Sequence, residues 1–279
     1  MSKIYVTGFN GYLGSALCKH MFDKNFIKIG NPKKKYLQTD ILKDLPNKVD
    51  SDAICLHLAS ISGEQSEKNK ELTFETNVEL TKRICDLNFN KIIFFSTSSV
   101  YGSSEKILKE TDDVNPTNYY TETKILAENI IKQSKTNIIL RMSNLMGISP
   151  NMNWNLFVNQ LIKNIKKNKK IEIFNPYQYR PFLNISDAVN CLSNIIDERK
   201  VEGIFNFGFT DMNYNKTEIL TTLKKIFKNF NYRTSFEGDK IYPSKPRDYK
   251  INCEKIKKFF QKKTGLLETF KQLDKINLN

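Results

Sequence analysis

The feature that most constrains this chain lies at its start. An apolar strand over residues 3–6 runs into Thr7-Gly8-Phe9-Asn10-Gly11-Tyr12-Leu13-Gly14, and a helical pattern over 12–22 follows. The spacing is G-x-x-G-x-x-G. Gly8 permits a tight turn, Gly11 lets backbone approach an anionic group, and Gly14 lets the helix pack close to the strand. The helix then opens with free N–H groups and the positive end of its dipole, which suits a phosphate. Glycines at this spacing alone are a weak signal. Between a strand and a helix they point specifically to a dinucleotide.

Apolar strands and helices alternate through the first half. Strands are expected over 3–6, 26–29, 53–58, 91–96 and 137–141, and helices over 12–22, 67–87 and 119–132. Continuous apolar strands separated by helices predict a parallel sheet covered on both faces. Beyond Arg141 the rhythm changes. Asn, Lys and aromatic residues crowd 151–179, with one helix over about 154–167. Later helices are expected over 187–196, capped by Ser186, over 217–230 and over 253–260, with a strand over 203–207. The expected fold class is α/β: a Rossmann-type doubly wound parallel sheet with a smaller C-terminal substrate-binding α/β domain. The first domain is expected over 1–144 plus about 180–209, and the second over about 145–179 plus 210–279.

Composition narrows the function classes. No apolar run approaches the roughly 20 residues that span a bilayer. The first residues enter a strand and lack the layout of a signal peptide, so a cytoplasmic protein without a membrane partner is expected. The five cysteines, Cys18, Cys55, Cys85, Cys191 and Cys253, are scattered and never form a C-x-x-C pair. This argues against a disulfide framework and a zinc site, and no metal is expected. His20 and His57 are the only histidines; one falls in an expected helix, the other in a buried strand, and both read as structural. The net charge is +14, which raises nucleic acid as a partner. The densest cluster, Lys163-Lys166-Lys167-Lys169-Lys170, lies on a helix with Leu161, Ile162 and Ile165 facing inward. A solvated helix face is the simpler reading, so no nucleic-acid partner is expected. A basic protein still favours an anionic ligand such as a nucleotide diphosphate.

An acidic residue usually ends the second strand of such a fold and holds the ribose hydroxyls. Here Phe26-Ile27-Lys28-Ile29 ends in Gly30-Asn31, and Lys33-Lys34-Lys35 follow. No carboxylate repels a 2′-phosphate and cations stand near it. NADP(H) is therefore favoured over NAD(H), with Asn31 and Lys33 beside it. Asp40 is a candidate for contacting the adenine.

Tyr120 and Lys124 stand four apart and share a helix face. Reducing a carbonyl needs a proton donor beside its oxygen. A tyrosine has a pKa of about 10, and an ammonium on the same face stabilises its phenolate. Upstream, Phe94-Phe95-Ser96-Thr97-Ser98-Ser99-Val100-Tyr101-Gly102 is a buried strand running into a polar turn. Open α/β sheets bind ligands at such strand ends, and Thr97 could hydrogen-bond the same oxygen.

With these residues the chain resembles the extended short-chain dehydrogenases/reductases, in the epimerase/dehydratase group that acts on nucleotide sugars. Thr7-Gly8-x-x-Gly11-x-x-Gly14 is similar to that group's cofactor turn, and His57-Leu58-Ala59-Ser60 to its H-L-A-A strand end. Asn77 falls at the asparagine of its following helix. Ser96-Thr97 with Val100-Tyr101-Gly102 resembles S-[ST]-x-x-V-Y-G, and Tyr120-x-x-x-Lys124 with Glu128 resembles Y-x-x-x-K-x-x-x-E. Leu140-Arg141-x-x-Asn144-x-x-Gly147 and Arg180-x-Phe182-x-x-Ile185-x-Asp187 match two later segments. The resemblance implies a catalytic set of Thr97, Tyr120 and Lys124. It places Gly8, Asn10, Gly11, Tyr12, Leu13, Gly14, Leu58, Ala59, Ser60, Asn77, Tyr120 and Lys124 along the cofactor. It places Ser98, Ser99, Asn144, Arg180, Lys245 and Arg247 at a nucleotide-diphosphate sugar. Lys245 stands where the group often has an arginine; Lys is a point charge rather than a fork, and Arg247 could substitute. A homodimer through the helices at about 67–87 and 119–132 is implied as well.

Three chemistries compete within this resemblance. A 4,6-dehydratase would carry Asp-Glu directly after the catalytic Thr, where this chain has Ser98-Ser99, so dehydration is not expected. The missing acid after the second strand and the short chain favour a 4-ketoreductase over a 4-epimerase. A non-catalytic dinucleotide sensor is the distant alternative, disfavoured by the intact Thr97, Tyr120 and Lys124.

Overall fold

The computed structural model describes residues 2–24, 26–30, 42–134, 136–198, 200–236 and 247–278. Six strands form the central sheet: β1 (Ile4–Thr7), β2 (Phe26–Ile29), β3 (Ile54–His57), β4 (Lys91–Thr97), β5 (Asn137–Met142) and β6 (Gly203–Phe207). Their order is β2-β1-β3-β4-β5-β6 and every pairing is parallel. The chain leaves β1 for β2 on one side and returns to β3 on the other. That reversal beside β1 is the point where such sheets place ligands. The Rossmann-type doubly wound α/β fold is thus present.

The inner strands β1, β3, β4 and β5 bury both faces, which is why the sequence shows apolar runs rather than alternation. Ile4, Val6, Leu56, Ile93 and Leu140 point to one core. Tyr5, Cys55, Ile92, Phe94 and Ile139 point to the opposite one. The flanking helices are α1 (Tyr12–His20), α2 (Glu64–Lys68), α3 (Lys70–Phe74), α4 (Leu80–Asp86), α5 (Tyr119–Ile131), α6 (Phe157–Lys166), α7 (Ile185–Asp197), α8 (Lys216–Leu223) and α9 (Leu266–Asp274). Among the described residues no helix is long and apolar enough to cross a membrane.

A second core gathers Met146, Val158, Leu161, Ile162, Phe182, Ile219, Leu220, Leu266 and Phe270, among others. It packs α6, α8 and α9 against three strands, Asn144–Met146, Tyr179–Asn184 and Asn213–Asn215, that form a separate sheet. Between α8 and α9 the chain revisits the main core through Tyr249, Ile251, Cys253, Ile256 and Phe259.

Several expected elements differ. The single helix over 67–87 is broken into α2, α3, a π-turn over Glu75–Glu79, and α4. Asn69 makes the first break: its φ is −134° and its side chain caps α3 by accepting the Leu72 N–H at 3.3 Å. Helix α7 is capped by Asn184, which accepts the Ser186 N–H at 2.9 Å, and not by Ser186. The helix over 217–230 stops at Leu223, and residues 253–260 yield only a 3-10 turn, Lys257–Phe259.

Candidate active site

The glycine turn is shaped by contact. Gly8 has φ +69°, and a Cβ there would lie 2.7 Å from the Ala59 nitrogen. A Cβ on Gly14 would collide with the Gly8 carbonyl oxygen. These two glycines are required by the fold itself. Gly11 is exposed and precedes α1 without a side-chain cap, and its own N–H is donated to the Gly8 carbonyl at 2.9 Å. The first N–H groups of α1 have no intrahelical acceptor, so this end of the helix could take an anionic group.

A buried polar chain braces the neighbouring strand ends. Thr7 Oγ1 lies 2.8 Å from His57 Nδ1 and accepts the Ala59 N–H at 3.1 Å. His57 Nε2 lies 2.9 Å from Thr81 Oγ1, whose own proton goes to the Asn77 carbonyl at 2.8 Å. The ring proton therefore sits on Nε2. Burial, aided by Lys124, pushes the His57 pKa down to about 3, so the ring is neutral and structural. Asn77 lies in the π-turn. Its Oδ1 accepts the Ile61 N–H at 2.8 Å and the Ser60 hydroxyl at 3.1 Å. Its Nδ2 donates to the Ile61 carbonyl and Thr123 Oγ1, both at 3.0 Å. The amide is fully engaged, so Asn77 shapes the loop after β3 and ties it to α5. Local π-turns of this kind are often found at functional sites.

Helix α5 starts with a capping box between Asn118 and Thr121, which fixes where Tyr120 and Lys124 fall. The Tyr120 hydroxyl faces the side-chain hydroxyls of Thr97 and Ser60. Burial pushes its pKa up to about 12, against the pull of those two hydroxyls and of Arg247. Lys124 is buried, with Nζ 4.1 Å from the centroid of the Phe94 ring. Burial pushes it down to about 7, with Glu128 pulling the other way. The charge of Arg247 also pulls the phenol's pKa down.

Ser98 and Ser99 follow Thr97 in a 3-10 turn, and both hydroxyls meet the Tyr249 hydroxyl, at 3.1 and 3.2 Å. Tyr249 is fully buried and lies under the Arg180 guanidinium, 5.3 Å from ring centroid to Cζ. Arg180 donates to the Tyr179 carbonyl at 2.7 Å; burial pulls its pKa down to about 10, which leaves it charged at neutral pH. Asn144 donates to the Pro181 carbonyl at 3.0 Å, on the same strand as Arg180. Thr97, Tyr120, Ser60, Ser98, Ser99, Arg180 and Arg247 thus converge past the C-terminal ends of β3 and β4. Among the described residues the set offers the Tyr120 phenol beside two hydroxyls, and two arginines that could meet an anionic ligand.

Residues 4–208 match the NAD dependent epimerase/dehydratase family. The chain belongs to that family. GDP-6-deoxy-D-talose 4-dehydrogenase of Aggregatibacter actinomycetemcomitans is 26% identical over 247 residues, covering 80% of each chain. UDP-glucose 4-epimerase of Lactobacillus helveticus is 26% identical over 275 residues, covering 80% of this chain and 81% of that enzyme. Among solved structures, UDP-glucuronic acid 4-epimerase of Bacillus cereus, in complex with UDP-glucuronic acid and NAD, superposes with a TM-score of 0.81. It is 22% identical over 98% of each chain, a likeness of fold.

Within this epimerase/dehydratase family member, Asn31, Lys33, Asp40 and Lys245 lie outside the described residues. Two buried polar residues of the site region went unread in the sequence. Tyr249 carries no motif, and its partners lie about 150 residues upstream. Asn159 is fully buried and hydrogen-bonds Tyr12 of the glycine turn. Only its place among apolar neighbours, Phe157-Val158 and Leu161-Ile162, could have marked it as a buried polar group.

Proposed function

We propose that this chain reduces the keto group of a nucleotide-linked 4-keto sugar, with NADP(H) favoured over NAD(H). The observation that carries the reading is the Tyr120 hydroxyl facing Thr97 and Ser60 at the sheet's ligand edge, with Ser98 and Ser99 after Thr97 in place of any acid–base pair. A bound nicotinamide dinucleotide supplies the hydride. The protein's residues do the rest. Gly11 and the first turn of α1 take the pyrophosphate. Tyr120 donates its proton to the oxygen that gains charge, and Thr97 positions that oxygen. Lys124, one helical turn after Tyr120 and with its pKa held low by burial, supplies positive charge near the phenol when protonated. Arg180 and Arg247 hold the diphosphate, with Asn144 beside them. Pairing of two copies through α2–α4 and α5 belongs to the same reading; Phe74 and Leu126 are exposed apolar residues on these helices.

The 4-dehydrogenase relative supports redox chemistry at C4. The 4-epimerase relative supports the alternative, interconversion of 4-epimers. Chain length lends the reductase no weight, because this chain covers 98% of a solved 4-epimerase. The deciding experiment offers NADPH and NADH with nucleotide-linked 4-keto sugars and follows cofactor oxidation. Stoichiometric oxidation supports the reductase; interconversion of 4-epimers without net oxidation selects the epimerase. Tyr120→Phe should retain dinucleotide binding and lose about 10²–10⁴-fold in turnover. Undiminished turnover would remove Tyr120 from the reaction.

A further inference from the structure

The glycine turn is gripped from behind by the second core. The Tyr12 hydroxyl donates to the Gly147 carbonyl at 2.6 Å and accepts from Asn159 Nδ2 at 3.1 Å. Asn159 Oδ1 accepts the Gly147 N–H at 3.3 Å, which closes a ring of three residues. Ser149 donates its hydroxyl to the Tyr12 carbonyl at 2.6 Å, and Asn151 Nδ2 donates to the Asn10 carbonyl. These bonds reach the turn from more than 130 positions away in sequence. Asn159 stands in the first turn of α6 between Val158 and Leu161, both inserted in the second core. A segment with three glycines has much backbone freedom to lose. A cradle for a pyrophosphate works only if its N–H groups are already aimed.

We propose that Asn159 and Tyr12 are positioning residues for the dinucleotide. The second core, through this clamp, sets the conformation of the glycine turn and hence dinucleotide affinity. The proposal rests on the reading that the turn takes a dinucleotide. It assigns a cofactor-site role to a side chain outside the main sheet domain. Any displacement of α6 is then felt at the cofactor, and by linkage dinucleotide binding holds α6 in place.

The test titrates NADH and NADPH, followed by their fluorescence, into the full chain and four variants. Tyr12→Phe and Asn159→Leu each cut the clamp. The double variant should add little to either, because both belong to one chain of bonds. Ile219→Val trims one methyl group on α8, leaving α6 and the clamp in place. Both single clamp variants should raise the Kd of the dinucleotide bound by the wild type about tenfold. Amide exchange over residues 8–15 should quicken in the same variants. Ile219→Val should lower the thermal midpoint and leave Kd within twofold. Folded clamp variants with wild-type Kd would overturn the proposal, as would an equal rise in Kd for Ile219→Val. A wild-type chain that binds neither dinucleotide would overturn the cofactor reading, and the proposal with it.

Discussion

Two buried cations sit one on each side of Glu128, and the fold treats them in opposite ways. Arg141, on β5, is paired with Glu128 through two bonds, Nε to Oε1 at 3.2 Å and Nη2 to Oε2 at 2.9 Å. Ser96 donates to the same carboxylate at 2.5 Å, and the guanidinium lies 4.8 Å from the Tyr101 ring centroid. Lys124 is as deeply buried, one helical turn before Glu128, yet its amine rests on the Phe94 ring. Glu128 hydrogen-bonds Arg141 and acts on Lys124 only through its charge, which does not offset the cost of burial. A buried cation that serves only structure is paired until nothing is left over. One left short of partners costs stability, which fits the chemical role proposed for Lys124.

The comparison breaks most visibly at its centre. Glu128→Ala should strand Arg141 in a buried site and cost about 3–5 kcal/mol, read by denaturant unfolding. A loss below about 1 kcal/mol would mean the pair contributes no more than a surface bridge. Lys124→Met should act in the opposite direction on stability. Turnover should fall by about 10²–10⁴-fold, while the protein without added nucleotide should melt higher. The sign follows from the folded pKa of about 7, which lies below the ordinary lysine value. Between the two the unfolded chain binds the extra proton, so this group makes wild-type stability rise with pH across that interval. The wild type should therefore close the gap on Lys124→Met as pH rises from 7 towards 10. A gap that stays constant would show that Lys124 carries no burial penalty. The smallest effect belongs to a neutral neighbour. Tyr249→Phe removes the hydroxyl shared by Ser98 and Ser99 but keeps the ring under Arg180. It should raise KM for the sugar nucleotide about threefold to tenfold. A loss of turnover as deep as that of Tyr120→Phe would move Tyr249 from support into the reaction.

What could be read from the chain alone follows from the range of the interactions involved. The glycine turn, the parallel strands and the Tyr120–Lys124 spacing are local patterns, and the structure places them as local geometry requires. The single helix over 67–87 failed because its apolar spacing continues through Asn69 and the π-turn, where one added residue per turn leaves no mark on composition. Of the unread strands Ile171–Phe174, Tyr179–Asn184 and Asn213–Asn215, the second carries Pro181, which argues against a strand, and the third has only three residues. Ser186 stands just before Asp187 and reads as a cap, whereas Asn184, two residues earlier, caps the helix by accepting the Ser186 N–H. Tyr249 and Asn159 have partners that only the folded chain brings near. The pairing of Glu128 with Arg141 was equally hidden, although both residues sit in recognised motifs.

The helix α9 has a consequence for how the protein is made. Leu266, Phe270 and Leu273 complete the second core, to which Val158 and Leu161 contribute from more than a hundred residues earlier. Synthesis runs from the N-terminus, so every strand of the central sheet has left the ribosome before α9 does. A nascent chain can therefore pair its sheet and present all of its sequence motifs while α6 and α8 still expose their apolar faces. For that interval it is a substrate for chaperones and proteases. A product ending before Leu266 would keep those motifs and never seal the core that steadies its glycine turn.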